Sequence, residues 1–239
     1  MKTKTARKRK PGRPRDEALA ERRQEEILET ATSVFAELGY RATDVQVIAD
    51  RLGVGKGTVY RYFSSKRKLF LAAVDRGMLM LRQEADASSE GVADPLERVA
   101  KAIQTYLSFF DSHPQFVELL MQERAEFKDR KKPTYFQHYD ANLGPWKKLF
   151  RGLMAEGRVR KVPVDRIIDV ISDLLYGTIF TNYFAGRRKS FNVQARDVID
   201  VVFHGILGEG ERRRRGPRSA VAATRRRERP SVPEGSRMR

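Results

Sequence analysis

The chain has no cysteine and only three histidines in 239 residues. The first absence removes disulfides, thiolate nucleophiles and Cys-type zinc sites together. The second leaves His113, His138 and His204, which stand far apart, fall in no HExxH-type metal pattern and read as surface or core histidines. No nucleophile elbow and no dinucleotide-binding glycine pattern occurs. The stretch Gly55-Lys56-Gly57-Thr58 fails as a phosphate loop. That loop needs Lys directly followed by Ser or Thr, with a Gly five places before it, where this chain has Arg51. The many carboxylates sit in helical patterns as solvent-facing charge pairs. The expectation is therefore no catalytic residue, no metal and no cofactor: not an enzyme. Missing too is any run of about 18 apolar residues, and the basic N-terminus is not followed by an apolar segment. That pattern predicts neither a membrane partner nor a signal peptide, and hence a cytoplasmic protein.

Positive charge is abundant. The net charge is +17, and its distribution says more than its size. Residues 1–23 hold ten Lys/Arg against three Asp/Glu, and residues 211–239 hold eleven against three, or +7 and +8. Only about +2 is left between them, so two basic ends flank a nearly neutral globule, as in a polyanion binder. Residues 1–15 are too polar to bury, and Arg9-Lys10-Pro11-Gly12-Arg13-Pro14-Arg15 resembles an AT-hook, whose stiff arginine segment suits a narrow A·T minor groove. A simple phosphate-tracking arm fits the same residues. Residues 211–239, rich in Arg, Pro and Ser, carry no apolar stripe and are expected to be disordered.

Between these ends the apolar spacing is helical throughout, with no period of two, so the fold class is all-α. Asp16 is placed to cap a helix whose stripe is Ile27, Ala31, Val34, Phe35 and Leu38, ending at Gly39. Thr43 then reads as the cap of a short helix with Gln46 as its capping-box partner and Val45, Ile48, Ala49 and Leu52 inward. Gly53 permits a sharp turn, Val54 plugs the angle, and Lys56 to Phe63 forms a second short helix with Val59 and Phe63 inward. Lys56, Thr58, Arg61 and Tyr62 then face out, where a recognition helix meets base edges in the major groove. A longer helix, capped by Ser64 or Ser65, runs from about Lys66 to Ala87.

The run Gly57-Thr58-Val59-Tyr60-Arg61-Tyr62-Phe63-Ser64-Ser65-Lys66 with Leu69-Phe70, preceded by Ile48-Ala49 and Leu52-Gly53-Val54, resembles the DNA-binding domain of the TetR family of transcriptional regulators. The likeness covers about residues 22–70. It implies a homodimer on a palindromic operator in double-stranded DNA, each subunit reading one half-site. By matching position it puts Gln46 and Lys56 at base edges or nearby phosphates and Thr58, Tyr60, Tyr62 and Lys66 on phosphates. Gly57 would allow close backbone approach, Arg61 would read sequence, and Thr43 would belong to the same face. The chain departs from the pattern at Gly55, where Ser or Thr is common, and at Asp44, where a hydroxyl residue is common. Near phosphate a carboxylate repels, so Asp44 is given a capping role only.

From Pro95 to Leu207 helical segments follow one another, broken at Ser112-His113-Pro114, Lys131-Lys132-Pro133, Gly157 to Pro163 and Gly186 to Asn192, with Gly144-Pro145 expected to kink or interrupt one of them. The segment is rich in aromatics, which either fill a core or line a cavity. The resemblance implies a small-molecule effector there, and Phe110, Trp146, Tyr176 and Phe180 are the candidates to hold it. It also makes the last two long helices the dimer surface, where Gly177, Thr178 and Thr181 permit close approach. The predicted organisation is a basic arm (1–15), a helix-turn-helix domain (16–66), a helical effector-binding and dimerisation domain (67–210) and an Arg-rich tail (211–239). The predicted function is an effector-released repressor. The rival readings are a nucleoid-type architectural binder working through its tails and a DNA-binding module with a fully packed body and no small ligand.

Overall fold

The computed structural model describes residues 17–186 and 190–205. The Asp16 cap, the AT-hook-like arm, Leu207 and the Arg-rich tail lie outside these residues. The described residues form nine helices and no strand, and none of the helices is long and apolar enough to cross a membrane. The described residues divide into two units, with the boundary between Arg196 and Asp197.

In the first unit, α1 (Glu17–Ala42) buries Ile27, Leu28, Ala31, Thr32, Val34 and Phe35. Gly39 leaves the helical region at φ 79°, as a helix-ending glycine does, and one more turn follows. Leu38 does not complete the inward stripe; it is 45% exposed. After the break at Gly39 the ring of Tyr40 takes that place, 6.1 Å from Phe35 and 5.1 Å from Phe70. Next come α2 (Val45–Arg51), α3 (Lys56–Tyr62) and α4 (Lys66–Ser89). Ser65 caps α4, its hydroxyl accepting from the Lys68 N–H at 3.1 Å.

The body of the first unit is built from α5 (Pro95–Ser112), α6 (Pro114–Glu126), α7 (Thr134–Ala155) and α8 (Val164–Ala185); α9 (Phe191–His204) spans the boundary between the units. Asp94 caps α5 through the N–H groups of Leu96 and Glu97, with Pro95 in the first turn, where its missing N–H costs nothing. Contrary to an interruption at Gly144-Pro145, α7 remains one helix. Pro145 and Ala141 both lie on its exposed side, so the carbonyl that proline strips of a partner can turn to solvent. Packing places α1 against α4 and α6, α4 against α5 and α7, and α8 against α5 and α7. The apolar core runs without a break from Ile27 and Phe35 through Phe70 to Leu107, Phe116 and Ile179. Several of the body's aromatics stay outside it: Phe136, Tyr183 and above all Phe184, 72% exposed.

Candidate functional site

The two short helices are seated by Val45, Ile48, Ala49, Val59 and Phe63, all buried. Gly53, at φ +64°, makes the turn between them, and the Val54 N–H returns to the Ala49 carbonyl at 3.0 Å. Seven residues give α3 a length of about 10 Å, which suits the width of a B-DNA major groove. Its outward residues are Gly57, Tyr60 and Arg61, exposed, with Lys56, Thr58 and Tyr62 half-buried. A Cβ at Gly57 would meet nothing within 4 Å, so no packing inside the chain requires glycine there. Tyr62 rests on the core with the Arg61 guanidinium 5.4 Å above its ring. Gln46 is exposed on α2.

The turn before α2 differs from the sequence expectation by one residue. Asp44, not Thr43, is the cap, its carboxylate accepting from the Gln46 N–H at 2.8 Å. Thr43 is 2% exposed and its hydroxyl donates to the Gly39 carbonyl at 2.7 Å, so it leaves the candidate DNA face. The Gln46 amide is not a capping-box partner; it donates to Asp50 at 2.7 Å. Asp44 also pairs with Lys56 at 2.6 Å. The Gln46 N–H first and then Lys56 hold the Asp44 carboxyl below its ordinary range, and Asp44 raises the Lys56 ammonium. The residue that caps α2 thus positions the first residue of α3.

Lys66 is engaged within the chain. Its ammonium donates to the carbonyls of Tyr40 (2.9 Å), Arg41 (3.2 Å) and Thr43 (2.9 Å) and lies 4.6 Å from the Tyr40 ring centroid. All three donors are spent on the carbonyls that end α1, where a cation is also favoured by the helix dipole. A phosphate would have to compete with them. Lys66→Met is therefore expected to cost about 1–3 kcal/mol of stability. It should leave the slope of log affinity against log salt unchanged, whereas loss of a phosphate contact lowers that slope by about one. Denaturant unfolding and a salt titration of DNA binding separate the two.

A contact unread in the sequence joins this turn to the body. Phe127, just past α6, sits 4.8 Å from the Tyr40 ring and 5.5 Å from Phe70, with the Arg67 guanidinium 4.9 Å above it. Arg67 pairs with Asp129 at 2.6 Å and holds its carboxyl below the ordinary range; Arg41 pairs with Glu126 at 2.7 Å. Nothing in a local periodicity identifies Phe127, because its partners lie about 60 and 90 residues upstream.

Within the body, α4, α5, α7 and α8 line a cavity of about 730 Å³, in the size range of small-molecule sites. Of the four sequence candidates only Trp146 lines it. Tyr176 lines a smaller neighbouring cavity of about 430 Å³, while Phe110 is buried in the core beside Phe109 and Phe180 packs on Tyr176 with ring centroids 4.4 Å apart. Sequence reasoning missed the residues that set the cavity's polarity. Tyr106 and Tyr135 bond hydroxyl to hydroxyl at 2.7 Å on its wall. Burial pushes the Tyr106 phenol well above its ordinary value and that of Tyr135 up to about 12, so both stay protonated at neutral pH. His138, on the same wall, pairs with Asp75 at 2.6 Å. Among the described residues no group of three or more His, Cys, Asp or Glu is placed to hold a metal ion.

A short outward helix held by a glycine turn on a helical base defines the helix-turn-helix class. Residues 27–73 match the family model described as bacterial regulatory proteins, tetR family. Over 100 residues it is 36% identical to the uncharacterized HTH-type transcriptional regulator YhgD of Bacillus subtilis, covering 42% of this chain and 52% of that protein. Over 192 residues it is 26% identical to the transcriptional repressor KstR2 of Mycobacterium tuberculosis, covering 79% of this chain and 94% of that one. The chain spans about half the length of curated relatives such as YhgD. The crystal structure of the transcriptional regulator FadR from Bacillus subtilis in complex with stearoyl-CoA shares the fold, with a TM-score of 0.65, 18% identity and coverage of 77% of this chain and 99% of that one.

Proposed function

We propose that the protein is a transcriptional repressor that binds a palindromic operator in double-stranded DNA as a homodimer and releases it when a small molecule enters the body. The head, residues 16–66, reads DNA; residues 67–210 hold the effector and the dimer contact. The observation that carries this reading is that one helix serves both ends. The Lys66 end of α4 grips the carbonyls immediately before α2, and Met78, Leu81 and Arg82 of the same helix line the cavity. Fifteen residues from Lys66 to Leu81 make a lever of about 22 Å. An occupant that favours a different position of α4 shifts the population toward heads spaced wrongly for half-sites about 34–36 Å apart.

Gln46, Lys56, Thr58, Tyr60, Arg61 and Tyr62 are the residues assigned to DNA, with Arg61 reading a base. The apolar side chains that α8 leaves exposed, Val170, Leu174, Tyr183 and Phe184, support its role in the dimer surface. The cavity weighs against the ligand-free module. The outward face of α3 weighs against a binder that works through its tails. Deleting residues 1–15 and 211–239 is therefore expected to keep the site preference and lower mainly the salt-dependent affinity.

Gly57 gives the sharpest test of the interface. Gly57→Ala is expected to stabilise the fold by about 0.5–1 kcal/mol, since an open helical position gains from alanine. It is also expected to weaken operator binding about tenfold or more, because the added methyl group stands between α3 and the DNA backbone. A variant that is both more stable and binds equally well would remove Gly57, and with it this docking of α3, from the account. Thermal unfolding and fluorescence anisotropy on a labelled duplex read the two effects.

A further inference from the structure

The polar groups of the cavity define what it takes. Two tyrosine hydroxyls carry two hydrogens, and the Tyr106–Tyr135 bond uses one of them. Whichever hydroxyl accepts keeps an O–H that makes no other hydrogen bond among the described residues. Around the pair the wall is apolar, with Ile103, Leu149, Phe150, Ile171 and Leu175. Three other polar side chains nearby are engaged: His138 with Asp75, Tyr139 with Asp169, and the Asn142 amide N–H with the His138 carbonyl. An O–H donor in a largely apolar wall selects a ligand with an acceptor oxygen at that point.

The charged end of the cavity excludes one class of such ligands. Its exposed charged lining residues are Arg82, Asp86, Glu90 and Arg98, two cations against two anions, with Arg82 already paired to Asp86 at 3.6 Å. Tyr106 lies eight residues along α5 from Arg98, about 12 Å deeper. Electrostatically balanced residues at that end offer nothing to a carrier bearing several phosphates.

We propose, building on the effector reading above, that the cavity takes a mostly apolar molecule carrying at most one negative charge, whose carbonyl or carboxylate oxygen accepts a hydrogen bond from the Tyr106–Tyr135 pair. Free fatty acids and polycyclic ketones share this chemistry; acyl thioesters of a phosphate-bearing carrier do not.

Trp146 makes the test direct, because it lines the cavity and is the only tryptophan in the chain. Its fluorescence is followed as the full-length protein is titrated with decanoate, a steroid 3-ketone, decane and decanoyl-coenzyme A. Decanoate or the ketone is expected to bind at least about tenfold more tightly than decane, and whichever does identifies the source. The double variant Tyr106→Phe/Tyr135→Phe removes both partners together and so leaves no orphaned hydroxyl. It is expected to lose that preference while decane binding stays unchanged. Equal binding of the oxygen-bearing ligand and decane, or an unaffected double variant, overturns the tyrosine subsite. Decanoyl-coenzyme A binding as tightly as decanoate overturns the charge limit. A Trp146 signal that responds to none of the four overturns this inference, and it takes the effector reading with it; the other outcomes leave that reading standing.

Discussion

Replacing Glu123 by alanine is expected to destabilise the protein by about 3–5 kcal/mol, the largest effect of any single substitution proposed for it. Glu123 is 1% exposed, near the end of α6. One of its oxygens accepts from the Thr134 N–H and the Thr134 hydroxyl, both at 2.9 Å, and meets Arg130 at 3.1 Å. The helix it touches needs this. α7 begins after Pro133, which provides no side-chain cap, so a carboxylate from another helix satisfies a first-turn N–H that would otherwise be orphaned. Alanine leaves that N–H and the largely buried Arg130 without their partner at once. Glu123→Gln keeps an acceptor for Thr134 and loses only the charge, so a smaller loss is expected. Urea unfolding should show a lower midpoint at an unchanged slope. A loss under about 1 kcal/mol for the alanine variant would mean that solvent replaces the carboxylate and that the start of α7 is not anchored through α6.

Gly77→Ala is expected to cost about 1–3 kcal/mol, even though alanine is the better helix former by about 1 kcal/mol. A Cβ on Gly77 would stand 2.3 Å from one carbon of the Phe116 ring and 2.6 and 2.8 Å from two others. Phe116 is 1% exposed and stacked on Phe109 with centroids 5.8 Å apart, so the ring has nowhere to go. The glycine lets α4 approach α6 closely, in the helix that carries both the head tether and the cavity wall. Phe116→Leu in the Gly77→Ala background should recover part of the loss, giving a coupling energy that a double-mutant cycle measures. Simple additivity would place the cost elsewhere.

Much of the head was legible because its signals are local. The Ile27–Phe35 stripe, the glycines at 39 and 53, and the spacing from Ile48 to Phe70 all act within a few turns of chain. Where the reading slipped, two residues competed for one role. Thr43 and Asp44 both suit a cap, and the hydroxyl was claimed by the Gly39 carbonyl, which left the carboxylate to α2. Lys66 looks outward in sequence but reaches back more than twenty residues to the end of α1.

The body was legible only as helices. Every segment there has an apolar stripe, and the choice between core and cavity depends on how four helices leave space between them. Phe110 and Trp146 are equally apolar to a sequence reader, yet one is packed and the other faces the void. The same holds for Gly77, whose meaning lies in a ring 39 positions away, and for Glu123, whose partners belong to the next loop and helix.

The measurement that tests the account most directly is a comparison of two duplexes at about 150 mM salt, one carrying the palindrome nearest the protein's own gene and one with the same bases shuffled. A helix-turn-helix reader held in pairs by the body predicts a preference of at least about 10³-fold for the palindrome. Equal affinity for the two within a few-fold would contradict it, and would assign the binding to the charge of the chain rather than to α3.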